Sequence, residues 1–201
     1  LTITVGLANL VSAQPVDAGD STALLNILAT NSSVSTTLNW AISDTATNWD
    51  GVTWDGGNPQ RVTSLQLATT SSSNDNVGVE TDLTGAVDFS GLTMLSVLNL
   101  KHNTNITSVN LAGLTNLGVI TLNYCTFNAL NVANLTSLNN IRAKNTNFST
   151  IDVTNCTALS EIKLPNNNSS PDGTPINFIG LTSTNLTDFG FRNNDFNIIT
   201  S

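Results

Sequence analysis

Charge is scarce in this 201-residue chain: Lys, Arg, Asp and Glu together make up 10% of it. Basic residues are scarcer still. Six Lys and Arg stand against fourteen Asp and Glu, for a net charge of −8 that argues against nucleic acid binding through a generally cationic surface. With one histidine, His102, an imidazole metal cluster or a Ser-His-Asp set would have to be built on that residue. The nearest carboxylates in sequence, Asp88 and Asp152, are distant from it, and no serine stands in a Gly-x-Ser-x-Gly elbow. No catalytic residue, metal ligand or cofactor is assigned on this reading. The two cysteines, Cys125 and Cys156, form neither a disulfide framework nor a zinc-ligand spacing and read as core filler. No run of 18 apolar residues occurs, so no helical membrane span is expected.

What the chain has instead is uncharged polarity: 30 Thr, 30 Asn and 20 Ser. Hydroxyls and amides in place of Lys and Glu lean toward a secreted or cell-surface setting. Residues 1–11 are mostly apolar and precede Ser12-Ala13-Gln14, so 1–13 reads either as the remnant of a secretory signal or as an ordinary first strand.

A repeat runs through most of the remainder. Leu95, Leu98 and Leu100 set an L-x-x-L-x-L pattern, followed by Asn103, Ile106, Val109, Leu111 and Leu114. The order returns at Leu117, Ile120, Leu122, Cys125, Phe127, Leu130, Val132 and Leu135, then at Leu138, Ile141, Ala143, Thr146, Phe148, Ile151, Val153 and Cys156. Further copies open at Leu159 and Leu186, and an atypical one at Val62. Each copy reads as a short strand with alternate side chains inward, a turn, and a return along a second wall. One rung cannot bury its apolar edge alone, so stacked rungs must share a core. Residues 69–82 and 166–175 are polar insertions expected to loop out.

These segments resemble the leucine-rich repeat family over residues 61–201. The stretches Val132-Ala133-Asn134-Leu135-Thr136-Ser137-Leu138 and Val153-Thr154-Asn155-Cys156-Thr157-Ala158-Leu159 are similar to its short bacterial repeats. Upstream, Asp20-Ser21-Thr22-Ala23-Leu24-Leu25, Leu38-Asn39-Trp40, Trp49-Asp50-Gly51-Val52 and Arg61-Val62-Thr63-Ser64-Leu65 resemble the N-terminal cap of plant and bacterial extracellular members. The plant cap's two cysteines are absent, with Thr47 and Trp54 in their places, which favours a bacterial or similar surface protein. The resemblance implies a leucine-rich repeat solenoid: a curved parallel β-sheet of about six rungs, an irregular or short-helical convex side, and a helical N-terminal cap. Residues 1–60 would form the N-terminal segment and cap, continuous with repeats over 61–201.

The residues support a cap independently. Asp20 or Ser21 can N-cap a helix with Leu24, Leu25, Ile27 and Leu28 on its apolar side, and Trp40, Trp49 and Trp54 supply a plug for the first rung. The last rung, with Phe189, Phe191 and Phe196, has no comparable plug, so a continuing parent chain or a neighbouring chain is expected to cover it.

The outward strand positions carry the clearest functional signal. One column reads Asn99, Thr121, Arg142, Lys163 and Gly190; the next reads Lys101, Asn123, Lys144, Pro165 and Arg192. These ten positions hold five of the six Lys and Arg, where random placement would put about 0.3. Counting Glu161 and Asp188 against them, the face carries about +3 and the rest of the chain −11. His102 flanks the columns, and Tyr124 is expected at the strand-face edge, either free to stack on a sugar or incidental surface. Glu161 and Asp188 are the only acids in the strand columns, and no acidic glycosidase cleft is indicated. Asn103, Asn167 and Asn194 share a slot that reads as structural capping of turn backbone.

The expected function is a non-enzymatic recognition or adhesion module with a protein or anionic glycan bound on the concave strands. Lys101, His102, Arg142, Lys144, Lys163 and Arg192 would provide the contacts, with Asn99, Thr121, Asn123 and Tyr124 beside them. The alternative is a spacer or assembly unit of a larger surface protein. Ice binding ranks lower: Thr93, Thr115, Thr136, Thr157 and Thr182 form one column, but Met94, Asn116, Ser137, Ala158 and Ser183 do not form the second that a flat ice face requires.

Overall fold

The computed structural model describes residues 15–31, 49–68, 83–167, 175–182 and 186–199. Residues 1–13, Trp40, the whole 69–82 insertion and most of the 166–175 insertion lie outside the described residues. One helix, α1 (Ala18–Thr30), is followed by β1 (Val52–Trp54), β2 (Val62–Gln66), β3 (Thr84–Asp88), β4 (Val97–Asn99), β5 (Asn105–Asn110) and β6 (Val119–Thr121). Then come β7 (Ala129–Asn131), β8 (Asn140–Arg142), β9 (Thr150–Asp152), β10 (Glu161–Lys163), β11 (Ile176–Ile179), β12 (Asp188–Gly190) and β13 (Phe196–Ile199).

The strands alternate between two walls, giving a parallel β-solenoid of about five turns. The principal wall is a seven-stranded sheet in the order β1-β2-β4-β6-β8-β10-β12. It is parallel throughout except for β1, which pairs antiparallel with β2. In-register pairing stacks Leu65, Leu98, Ile120, Ile141, Ile162 and Phe189 in one inward column. Leu65 through Ile162 in this column are fully buried, as are Leu67, Leu100, Leu122, Ala143 and Leu164 two residues on. A three-residue strand has too few backbone bonds to persist alone; it is held by these columns, which remove apolar surface from water only when rungs are stacked.

The second wall differs from the irregular or short-helical side expected. It is built of strands: β3 pairs with β5, and β7, β9, β11 and β13 form a four-stranded parallel sheet. Leu130, Ile151 and Phe178 stack inward along the latter. The return strands β3, β5, β7 and β9 end in the same turn. The side-chain oxygens of Asp88, Asn110, Asn131 and Asp152 accept from the N–H two residues on, at 2.9, 3.2, 3.0 and 2.9 Å. After β5, β7 and β9 the chain reverses through Gly113, Asn134 and Asn155, and directly after β11 it passes Gly180, all at positive φ. Gly180 is required sterically as well, since a Cβ there would lie 2.3 Å from Thr154 Oγ1 and 2.6 Å from its Cα.

The second wall splits between β5 and β7, which belong to different sheets. From Asn103 to Val109 is six residues, whereas Cys125 to Leu130 and Thr146 to Ile151 are five. The surplus lies between Asn103 and Ile106, three residues apart where Cys125 to Phe127 and Thr146 to Phe148 are two; further on, β5 sets Ile106 and Ser108 opposite consecutive residues of β3, leaving Thr107 as a bulge. A bulge increases the local twist of its strand, and β5 and β7, although neighbours, are not paired in one sheet.

At the first rung, α1 buries Ala23, Leu24, Ile27 and Leu28 in the common core, with Leu25 partly buried against it. Its N-cap is Asp17, one turn earlier than the expected Asp20 or Ser21; Asp17 Oδ1 accepts from Gly19 N at 2.9 Å and Asp20 N at 3.1 Å. Asp20 is instead fully buried and joins the helix to the sheet. It accepts from Arg61 Nε at 3.1 Å, Arg61 Nη2 at 3.0 Å and the Val62 backbone N–H at 2.6 Å. That bonding and the charges of Asp20 and Asp17 raise the Arg61 guanidinium's pKa above its ordinary value. Asn31, at the helix C-cap, accepts from Thr84 N at 2.7 Å. Trp49 is buried in the core and Trp54 packs against it half-buried. At the opposite end, Phe178, Phe189, Phe191 and Phe196 form an aromatic cluster.

Candidate functional site

The outward residues of the principal wall form the columns read from the sequence. Gln66, Asn99, Thr121, Arg142, Lys163 and Gly190 pair across successive rungs. Beside them run Val97, Val119, Asn140, Glu161 and Asp188. Register holds beyond the strands: the backbone N–H groups of His102, Tyr124, Asn145 and Asn166 donate to the carbonyls of Asn123, Lys144, Pro165 and Arg192. Lys101, Asn123, Lys144, Pro165 and Arg192 therefore stand in one row, a rung apart.

The structure sorts the cations into two sets. Arg142 and Lys163 are neutralised within the wall. Arg142 Nε meets Glu161 Oε1 at 3.1 Å, and Lys163 Nζ lies 3.5 Å from Glu161 Oε2 and 3.0 Å from Asp188 Oδ2. Partial burial raises the Glu161 carboxyl's pKa, but hydrogen bonds from Asn140 and Arg142 and the charges of Arg142 and Lys163 outweigh it and hold it below its ordinary value. The bond to Asp188, against a smaller desolvation effect, raises the pKa of the Lys163 ammonium. These four groups form an ion-pair string of zero net charge across β8, β10 and β12. Lys144 and Arg192 are exposed and, among the described residues, make no ion pair. Lys101 is half-buried, its backbone N–H bonded to Asn99 Oδ1 at 3.1 Å.

The neutral candidates are partly committed to the wall itself. Asn99 donates to Gln66 Oε1 at 3.0 Å, and Asn123 Oδ1 accepts from Lys144 N at 2.8 Å. Thr121 sits half-buried on β6 between Asn99 and Arg142. His102 and Tyr124 occupy equivalent turn positions at φ 65° and 66°. Their rings stack at 4.3 Å with 7° between planes, and Lys144 Nζ lies 5.7 Å from the Tyr124 centroid. Tyr124 thus shares its ring with neighbours on both adjacent rungs.

The turn below these rows is structural. Asn103 donates to Leu67 O at 2.6 Å and Leu100 O at 3.0 Å while accepting from Leu83 N at 3.0 Å. Asn167 donates to Ala143 O and Leu164 O and accepts from Thr146 N, and Asn194 bonds Leu164 O and Asn167 N. The cysteine thiols contact Leu100 O at 3.2 Å and Val132 O at 3.0 Å. Desolvation pushes the Cys125 thiol up to about 12 and Cys156 up to about 11, so neither is a nucleophile near neutral pH. Among the described residues no group of His, Cys, Asp and Glu could hold a metal ion, and no helix is long and apolar enough to cross a membrane.

Fold and site together define a parallel β-solenoid with a charge-bearing strand wall. No protein-family model, curated protein or solved structure matches the chain.

Proposed function

We propose that this chain is a non-enzymatic recognition module of the leucine-rich repeat type, acting outside the cell and binding an anionic protein or glycan on the principal wall, with α1 and its tryptophans as an N-terminal cap. The observation that carries this reading is the placement of five of six Lys and Arg in two adjacent outward rows of a chain whose net charge is −8. A positive strip on an otherwise anionic molecule steers anions toward it and repels them elsewhere. Single exposed pairs contribute only about 0–1 kcal/mol, so useful affinity needs several contacts at once, as a row provides. The repeat spacing, the asparagine slot and burial of the α1 apolar side support the family assignment.

The test is a binding survey of acidic glycans and proteins at low and high salt. Anionic ligands should dominate, and their binding should weaken as ionic strength rises. Binding that is insensitive to salt, or confined to neutral ligands, removes this reading.

The assembly-unit alternative has its own observation: Phe196, Ile198 and Ile199 of β13 are 39%, 50% and 47% exposed at the last described rung. Exposed apolar strand edges invite pairing with another chain. Concentration-dependent association abolished by Ile198→Lys would support it, and a strictly monomeric protein across the measurable range would remove it.

A further inference from the structure

Arg142 and Lys163 differ from Lys144 and Arg192 in what they can offer a ligand. Arg142 and Lys163 share Glu161 and Asp188, so engaging them requires breaking bonds of 3.0–3.5 Å already made. The other row carries a positive charge on every second rung: Lys101 after β4, Lys144 after β8 and Arg192 after β12, with Asn123 and Pro165 between. At about 5 Å per rung the cations repeat every ~10 Å along the solenoid axis and span ~20 Å. On one side this row is flanked by Asn99, Thr121 and the paired Arg142 and Lys163, and on the other by the turn residues His102, Tyr124, Asn145, Asn166 and Asn193.

We propose that Lys101, Lys144 and Arg192 form a linear track for an extended carboxylated polysaccharide whose acidic sugars occupy every second position. This rests on the recognition reading above and names the ligand class for the same wall. A pyranose unit advances an extended glycan by about the length of one rung, so alternating carboxylates match the two-rung period and the intervening sugars lie over Asn123 and Pro165. An acidic protein fits less well. Protein interfaces are anchored by a buried apolar or aromatic centre, whereas the outward wall here offers only half-buried Val97 and Val119 and a tyrosine already stacked on His102. The ligand is held by charge and hydroxyl hydrogen bonds rather than by a sugar stacked on Tyr124.

The experiment is titration calorimetry at low salt with hyaluronan decasaccharide, which carries a carboxylate on every second sugar, and oligogalacturonate of equal length, which carries one on every sugar. Hyaluronan should bind more tightly. Lys144→Gln with Arg192→Gln should weaken it at least tenfold, while Arg142→Gln with Glu161→Gln, which leaves net charge unchanged, should alter it less than about twofold. Thermal melts of both double variants report whether folding is retained. Equal or tighter oligogalacturonate binding, or equal damage from the Arg142/Glu161 variant, overturns the track while leaving the anion-binding wall standing. Failure of both oligosaccharides alongside salt-sensitive binding of an acidic protein overturns the track alone. Failure of every anion overturns the wall with it.

Discussion

Replacing Asp20 with alanine tests how the helix is fixed to the first rung. The carboxylate is fully buried and accepts three hydrogen bonds, two from Arg61 and one from Val62 N. Removing one partner of a buried ion pair is typically destabilising by about 3–5 kcal/mol. Here the Arg61 side chain keeps 25% exposure, a 2.7 Å bond to Thr93 Oγ1 and Asp17 at 3.6 Å, so it recovers part of that. Val62 N, in contrast, is left buried without its acceptor, a penalty of about 1–3 kcal/mol by itself. Together these give about 3 kcal/mol. Because a solenoid transmits stability mainly between neighbouring rungs, the loss should be local. Hydrogen exchange should show protection of the α1 amides and Val62 falling about a hundredfold, with β8, β10 and β12 unchanged. The double variant with Arg61→Met should be less damaged than the two single effects added together. A loss below about 1 kcal/mol, or one spread evenly over all rungs, would refute the assignment of Asp20 as the tie between helix and sheet.

Gly180→Ala should destabilise by about 2–4 kcal/mol in urea titration, since it adds a Cβ at φ 70° into contact with Thr154; unchanged stability would mean that the turn readily repacks. Asn103→Ala removes one acceptor and two donor bonds from a fully buried site and should lower stability by about 2–4 kcal/mol, with Asn103→Asp recovering only the acceptor part. The Glu161 carboxyl is held below its ordinary 4.5, so its contribution to stability is complete above that pH and is lost as pH falls through the lowered folded value. Protonation there also releases Arg142, while Lys163 keeps its 3.0 Å contact with Asp188. Affinity for dextran sulfate, which stays ionised, should therefore rise as pH drops from about 6 to below about 4, and Glu161→Gln should flatten that rise; a flat profile in the unmodified protein would show that Glu161 does not mask Arg142.

Much of this architecture could be read from residue order because each rung repeats the same problem. Leu98, Ile120, Ile141 and Ile162 recur at matching positions, and period-two alternation then places Asn99, Thr121, Arg142 and Lys163 outward. The second wall was less legible. Its strands are as short as Ala129–Asn131 and Thr150–Asp152, too brief for alternation to separate a strand from an irregular return. The split between β5 and β7 accompanies one surplus residue between Asn103 and Ile106, and spacing along the chain does not say how the strands around it pair. Asp20 and Ser21 both satisfied the capping pattern, but Asp20 found a stronger use in Arg61, 41 residues away, and Asp17 took the cap.

Sequence alone determined the rung period, the inward columns and the rows holding the cations, because backbone geometry ties each of these to spacing along the chain. Only the tertiary structure decided that Arg142 and Lys163 are taken up in ion pairs within the wall. Whether Arg142 and Lys163 reach Glu161 and Asp188 depends on distances of a few ångströms between adjacent rungs, one of them across the insertion before β12, and such distances are set by stacking rather than by the order of residues.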